Sequence, residues 1–153
     1  MRNAARYEHT QDGPLYLLIC AMASVFLVTA WSFRQQRELA WFMAAAGAMM
    51  VLLGGAFRTL SVRDLGDRLL IAFGPIPLFW RTIAYADMAR VERTRTSFLD
   101  GWGIHLSLRR GWVWNLWGRD AVLIHRRKGK LCIGTDEPEA LLQFLQGRLN
   151  ESA

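Results

Sequence analysis

A chain of 153 residues has room for one packed domain and an appendage. Its apolar share of 52% and its seven tryptophans exceed what a water-soluble globule usually carries, while the charged share of 21% is ordinary, so the apolar excess must be local. A net charge of +6 without a recognition helix or an RNA-binding motif excludes a reader of nucleic acid.

After a tail over residues 1–13, two stretches carry no charge, residues 14–33 and 39–57. A helix of about 20 residues rises about 30 Å, the thickness of a bilayer's hydrocarbon core, so the pattern predicts two membrane spans. The first, "PLYLLICAMASVFLVTAWSF", outruns the roughly 7–15 apolar residues of a secretory leader, and a second span follows at once. Only "RQQRE", residues 34–38, separates them, which forces an antiparallel hairpin and puts both chain ends on one side. Trp31 and Trp41 then fall beside the link as interface anchors, where an amphipathic indole is most stable. Arg2, Arg6, Arg58, Arg63 and Arg68 flank the spans on the terminal side against Arg34 and Arg37 on the link side, the bias of a cytoplasmic face. Ala40, Ala44 and Ala48, with Gly47, Gly54 and Gly55 nearby, form a stripe of small residues that allows close helix approach, to the other span or to a second copy in a homo-oligomer. Cys20 in the first span and Cys132 in a strand have neither the number nor the spacing of a disulfide framework or a metal site.

From residue 58 the pattern alternates. "RLLIAFG" places Leu69, Ile71 and Phe73 on one strand face, and "LFWRTIAYADM" continues extended after the break at "GPIP". "RVERTRTSF" is polar enough for an edge strand, and Asp100-Gly101 after it is a hairpin signal. "IHLSLR" and "WVWNLW" form two facing strands about Arg110-Gly111, with Trp112, Trp114 and Leu116 expected together in the core. "AVLIHRR" and "KLCIGT" are joined at Lys128-Gly129. In "TDEPEALLQFLQGRLN", Asp136 and Glu139 have capping-box spacing, and Leu141, Leu142, Leu145 and Leu149 form a helical stripe. The expected fold class is therefore α+β: a transmembrane hairpin, then a seven-stranded β-sandwich or barrel over residues 58–150 closed by one helix.

The order of "LLIAFGP", "RTIAYADM" and above all "AVLIHRRKGKLCIGTDEPEALLQFL" resembles the membrane-anchored bacterial pleckstrin-homology-like (PH-like) proteins, over nearly the whole chain. The resemblance implies that fold and a binding role and names no shared ligand; together with the spans and their basic flanks it gives the expectation of a non-enzymatic binding or assembly module at the bacterial inner (plasma) membrane, multi-pass with both termini cytoplasmic, the alternatives being an anionic-lipid or small-ligand sensor and an accessory subunit of a membrane complex. Relatives that bind phosphoinositides carry basic residues around the first hairpin; here that stretch is "GPIPLFW", with only Arg81 close by.

Two surfaces are candidates for recognition. Trp102 and Trp117 stand beside glycines at strand ends, where an indole is often partly exposed and can meet the bilayer interface or a membrane-protein or peptide partner. Arg126, Arg127, Lys128 and Lys130 crowd one hairpin tip; anionic lipid headgroups would attract them by roughly 1 kcal/mol each near the surface, although such a tip is equally a solvated turn. His9, His105 and His125 stand apart, and no nucleophile elbow, phosphate loop or dinucleotide fingerprint occurs, so neither an enzyme nor a cofactor is expected.

Overall fold

Both charge-free runs are helical in the computed structural model, which describes residues 7–97 and 102–152. Helix α1 spans Leu15–Ser32 and α2 Arg37–Ala56, each long and apolar enough to cross a membrane. The serine and threonine hydroxyls of α1 are satisfied inside the helix: Ser24, Thr29 and Ser32 donate to the carbonyls of Cys20, Val25 and Val28 at 3.0, 2.8 and 2.9 Å. The helices lie against each other through glycine. A Cβ at Gly47 would stand 2.7 Å from Leu27 Cδ2, and one at Gly54 2.9 Å from Cys20 Sγ, so both positions must lack a side chain for the rods to touch. Ala48 of the expected stripe is instead exposed.

Among the described residues nine strands, one before the helices and eight after them, form two sheets rather than one closed barrel. The first sheet holds β1 (Glu8–Asp12), β2 (Thr59–Asp64), β3 (Arg68–Gly74) and β4 (Trp80–Ala84), side by side in that order. A single 3-10 turn, Tyr85–Asp87, leads to β5 (Met88–Arg95). The second sheet adds β6 (Gly103–Ser107), β7 (Gly111–Asn115), β8 (Asp120–Arg126) and β9 (Lys130–Gly134), in the order β5-β8-β9-β7-β6. Helix α3, Pro138–Ser152, ends the described chain and packs on β5, β8 and the 3-10 turn.

Four expectations need correction. The count of seven strands missed β1, inside what reads as a tail, and β2, which follows α2 with only two residues between. β1 is polar and exists because β2 pairs with it along its whole length, from Glu8 opposite Arg63 to Asp12 opposite Thr59. The hairpin signal at Asp100-Gly101 lies outside the described residues, as do Arg2 and Arg6, but β5 and β6 are no hairpin: they stand at opposite edges of the second sheet. Trp112 shares the inner face with Trp114 yet stays 44% exposed, and Leu106 opposite it 65%, because the sheet projects there beyond its cover. Asp136 and Glu139 do not close a capping box on each other's backbone. The carboxylate of Asp136 meets His9 Nε2 at 2.6 Å and that of Glu139 meets Arg93, while Thr135 Oγ1 accepts from the Glu137 amide at 3.1 Å.

Leu60, Val62, Leu69, Ile71, Phe73 and Ile83 of the first sheet face Trp114, Leu116, Val122, Ile124, Leu131 and Ile133 of the second, with Leu141 and Leu145 of α3 closing the same core. Each such side chain contributes about 1.5–3 kcal/mol by leaving water. The outer face of the second sheet is also dry, through Val113, Ala121, Leu123 and Cys132, which explains why β8 reads as a continuous apolar run.

Candidate functional site

Register puts the two helices at one end of the first sheet. Asp12 pairs with Thr59 and Thr59 with Gly74, so the last residue of β1, the first of β2 and the last of β3 are level. The Gly13 amide donates to the Arg58 carbonyl and the Arg58 amide to the Gly74 carbonyl, both at 3.2 Å. No flexible linker intervenes between hairpin and domain.

Trp102 and Trp117 come together at this hairpin end. Their ring centroids are 4.4 Å apart with the planes inclined by 32°, and they remain 41% and 39% exposed. Trp117 is held close to the start of α1: its Cβ is 3.0 Å from where a Cβ of Gly13 would stand, and its carbonyl accepts from Gln11 Nε2 at 3.0 Å. Trp31 and Trp41 occupy the other end of the hairpin, both 72% exposed, with the Arg34 guanidinium 5.1 Å from the Trp31 ring centre.

The sequence gives little warning of a third aromatic element. The loop from β3 to β4 folds against the last turn of α2, where Ile76 packs on Gly55 and donates to its carbonyl at 3.5 Å. Beyond it Leu78 is half-exposed and Trp80 is 64% exposed. With Phe79, Ile104 and Trp114 they line an open apolar cleft of about 310 Å³. Trp114 Nε1, buried, has no hydrogen-bond partner among the described residues. The one signal for this surface was Trp80 beside "GPIPLF", a large aromatic near a loop.

The basic tip lies at the opposite end of the first sheet. The Arg127 amide donates to the Asp87 carbonyl at 3.0 Å, and Asp87 follows β4, whose last residue, Ala84, pairs with Arg68 at the start of β3. Six residue steps of β3 separate that end from Gly74, about 20 Å at 3.3 Å per residue. Arg126 Nε is paired with Asp87 Oδ2 at 3.1 Å, and Lys130 Nζ donates to the Arg109 carbonyl at 3.4 Å. Burial, and then the nearby Arg126, push the pKa of Arg81 down. Arg127 and Lys128 remain as the tip's outward charges; Arg127 also lines an open groove of about 690 Å³ between β5 and α3, with Tyr85, Met88, Val91, Gln146 and Leu149.

Between these ends, three residues distant in sequence form a buried ionic cluster. Asp64 accepts from the Tyr85 hydroxyl and the Gly66 amide, both at 2.8 Å, and is paired with Arg148 of α3, whose guanidinium lies over Tyr85 and Phe144. Burial alone would raise the pKa of Asp64, but the Gly66 N–H, Tyr85 and Arg148 together hold it below the ordinary carboxylate value. Burial and the neighbouring Asp64 drive that of Tyr85 strongly upward. The cluster pins α3 to the end of β2.

His125 Nε2 meets Glu92 at 2.8 Å and His9 meets Asp136, so each of these histidines contacts a surface carboxylate, and His105 lies on β6 apart from both. Among the described residues no group of three or more His, Cys, Asp or Glu is placed to hold a metal ion. The sequence matches no protein-family description and no curated protein.

Proposed function

We propose that this chain is a membrane-anchored, non-enzymatic binding or assembly module. Its apolar hairpin crosses a bacterial inner membrane with both termini in the cytoplasm, and a PH-like domain is held against the inner face to receive a membrane-protein or peptide partner. The observation that carries this reading is the direct passage of two apolar helices, each with few buried residues, into adjacent strands of one sheet. Helices with Leu17, Leu18, Val25, Val28, Phe42 and Met49 all exposed are not core helices of a globule; a lipid environment is the solvent that accepts such a surface. Rigid junctions at Gly13 and Arg58 then fix which face of the domain looks away from the bilayer.

The face turned away carries the groove between β5 and α3. β5 is an edge strand, so one row of its backbone groups has no strand partner, and an extended segment can add to such an edge with its side chains in an adjoining groove. Arg127 at the groove favours a segment with acidic residues. The anionic-lipid reading of Arg126, Arg127, Lys128 and Lys130 has less support, because about 20 Å of sheet separates the tip from the hairpin end and the Debye length is only about 8 Å at physiological salt.

A photo-crosslinking amino acid at Gln146, exposed in the groove, tests the reading in intact cells. A discrete protein adduct, lost when Ala89→Arg at the exposed rim blocks the groove, is the expected result. Adducts with lipid alone, or none, contradict it.

A further inference from the structure

We infer that the hairpin end of the domain, from Leu78 and Trp80 across to Trp102 and Trp117, is seated in the headgroup boundary of the same bilayer that the helices cross. This rests on the reading of the helices as spans and adds an occupant for the aromatic surface: lipid rather than a protein partner.

The level of these residues carries the inference. Gly74 is hydrogen-bonded to the residue that follows Phe57 at the end of α2, and Trp80 pairs with Ala72, two residues further along β3. Two residues of strand are about 7 Å, inside the 5–10 Å layer in which interfacial side chains settle. Trp117 abuts Gly13, the second residue before α1, and its ring lies against that of Trp102. Gly103 lies beside Phe57 at the end of α2, and Ile104 beyond it walls the cleft, so β6 joins the two aromatic groups into one surface around the base of the hairpin.

The far end of the hairpin supplies an independent ruler. α1 has 18 residues, a rise of about 27 Å. Trp31 and Trp41 therefore stand about one hydrocarbon thickness from Trp102, Trp117 and Trp80, the separation of the two aromatic belts of a membrane protein. Each end also sets an arginine on an aromatic face, Arg34 over Trp31 and Arg58 over Tyr16 at 5.1 and 5.6 Å, which lets the guanidinium reach headgroups while its stem stays apolar.

The chemistry of the cleft agrees. Its lining is Leu78, Phe79, Trp80, Ile104 and Trp114, an apolar set without a charge. Any protein docked on this surface would have to lie within the lipid layer that the span ends already occupy.

The test uses the full chain in phosphatidylcholine nanodiscs. A polarity-sensitive fluorophore is attached to single cysteines, Val25→Cys, Leu78→Cys or Lys128→Cys, with Cys20→Ala and the buried Cys132 left in place. The Leu78 label should be quenched several-fold more by headgroup-nitroxide lipid, and several-fold less by aqueous iodide, than the Lys128 label. Equal iodide access at 78 and 128, with the Val25 label still quenched by acyl-chain nitroxide, overturns the seating and leaves the spans intact. Iodide access at Val25 overturns both. A Leu78 label shielded from iodide and from both nitroxides points to a protein occupant and also overturns it.

Discussion

The Gly13 amide and the Arg58 carbonyl share a hydrogen bond of 3.2 Å, so the approach to α1 and the exit from α2 are fastened at one corner of one sheet. A hinge at this point would leave the domain free to tumble on its tether. Without one, the direction of each surface follows from the direction of the helices.

That corner depends on β1, and Tyr7 beside it gives a discriminating pair of substitutions. Its ring stacks on Phe144 at 5.2 Å, while its hydroxyl is buried without a partner among the described residues. Burial, with Glu137 and Asp136 nearby, pushes its pKa up to about 12. Tyr7→Phe should leave stability unchanged or slightly raised, because no hydrogen bond is lost, whereas Tyr7→Ala should cost about 2–4 kcal/mol of packing. Denaturant titration in detergent micelles checks both.

The Asp64 cluster predicts a pH dependence of defined sign. Asp64 is held below its ordinary pKa in the folded state, so its contribution is complete at neutral pH and fades as pH falls through that lowered value, below about 3.8. Tyr85 is raised in the folded state, so stability falls as pH climbs past about 10. Asp64→Asn should flatten the acid limb. Arg148→Met should cost about 3–5 kcal/mol at neutral pH by leaving the Asp64 carboxylate buried and unpaired. Thermal melts across pH report each.

Glycines sort by their surroundings. Gly47→Leu should force the helices apart, since even a Cβ there meets Leu27 and lies 3.3 Å from the Ala23 carbonyl; a loss of about 1–3 kcal/mol is expected. Gly147 in α3 has nothing within 4 Å of its missing Cβ, so Gly147→Ala should add about 0.4–1 kcal/mol. Opposite signs in melting temperature confirm the assignment, and a neutral Gly47→Leu contradicts the packing of the hairpin.

At the basic tip, Arg127→Glu with Lys128→Glu should leave vesicle association of the full chain unchanged within twofold between neutral and anionic lipid. Co-flotation measures this, and a large anionic-lipid dependence that the charge reversal abolishes would restore the lipid reading.

The helices were legible because length and absence of charge are local properties. So were the β6–β7 and β8–β9 hairpins, which carry Gly111 and Gly129 at positive φ where the turns require it. β1 was not, because "EHTQD" owes its strand conformation to β2. Trp112 was misread for a related reason: alternation tells which face a residue shares, and only the reach of the opposing sheet decides whether that face is covered. The Trp102–Trp117 pair could be suspected from neighbouring glycines, but its place beside Gly13 and the ionic union of Asp64, Tyr85 and Arg148 depend on chain distances of up to about a hundred residues, for which no local pattern exists.

Cysteine accessibility in intact cells tests the central claim most directly. With Cys20→Ala, a membrane-impermeant maleimide should label Gln35→Cys, in the link between the helices, from outside, and Gln146→Cys, on α3, only after the cells are opened. Labelling of both positions only after lysis, or of Gln146→Cys in intact cells, contradicts a hairpin that crosses the membrane with its domain inside.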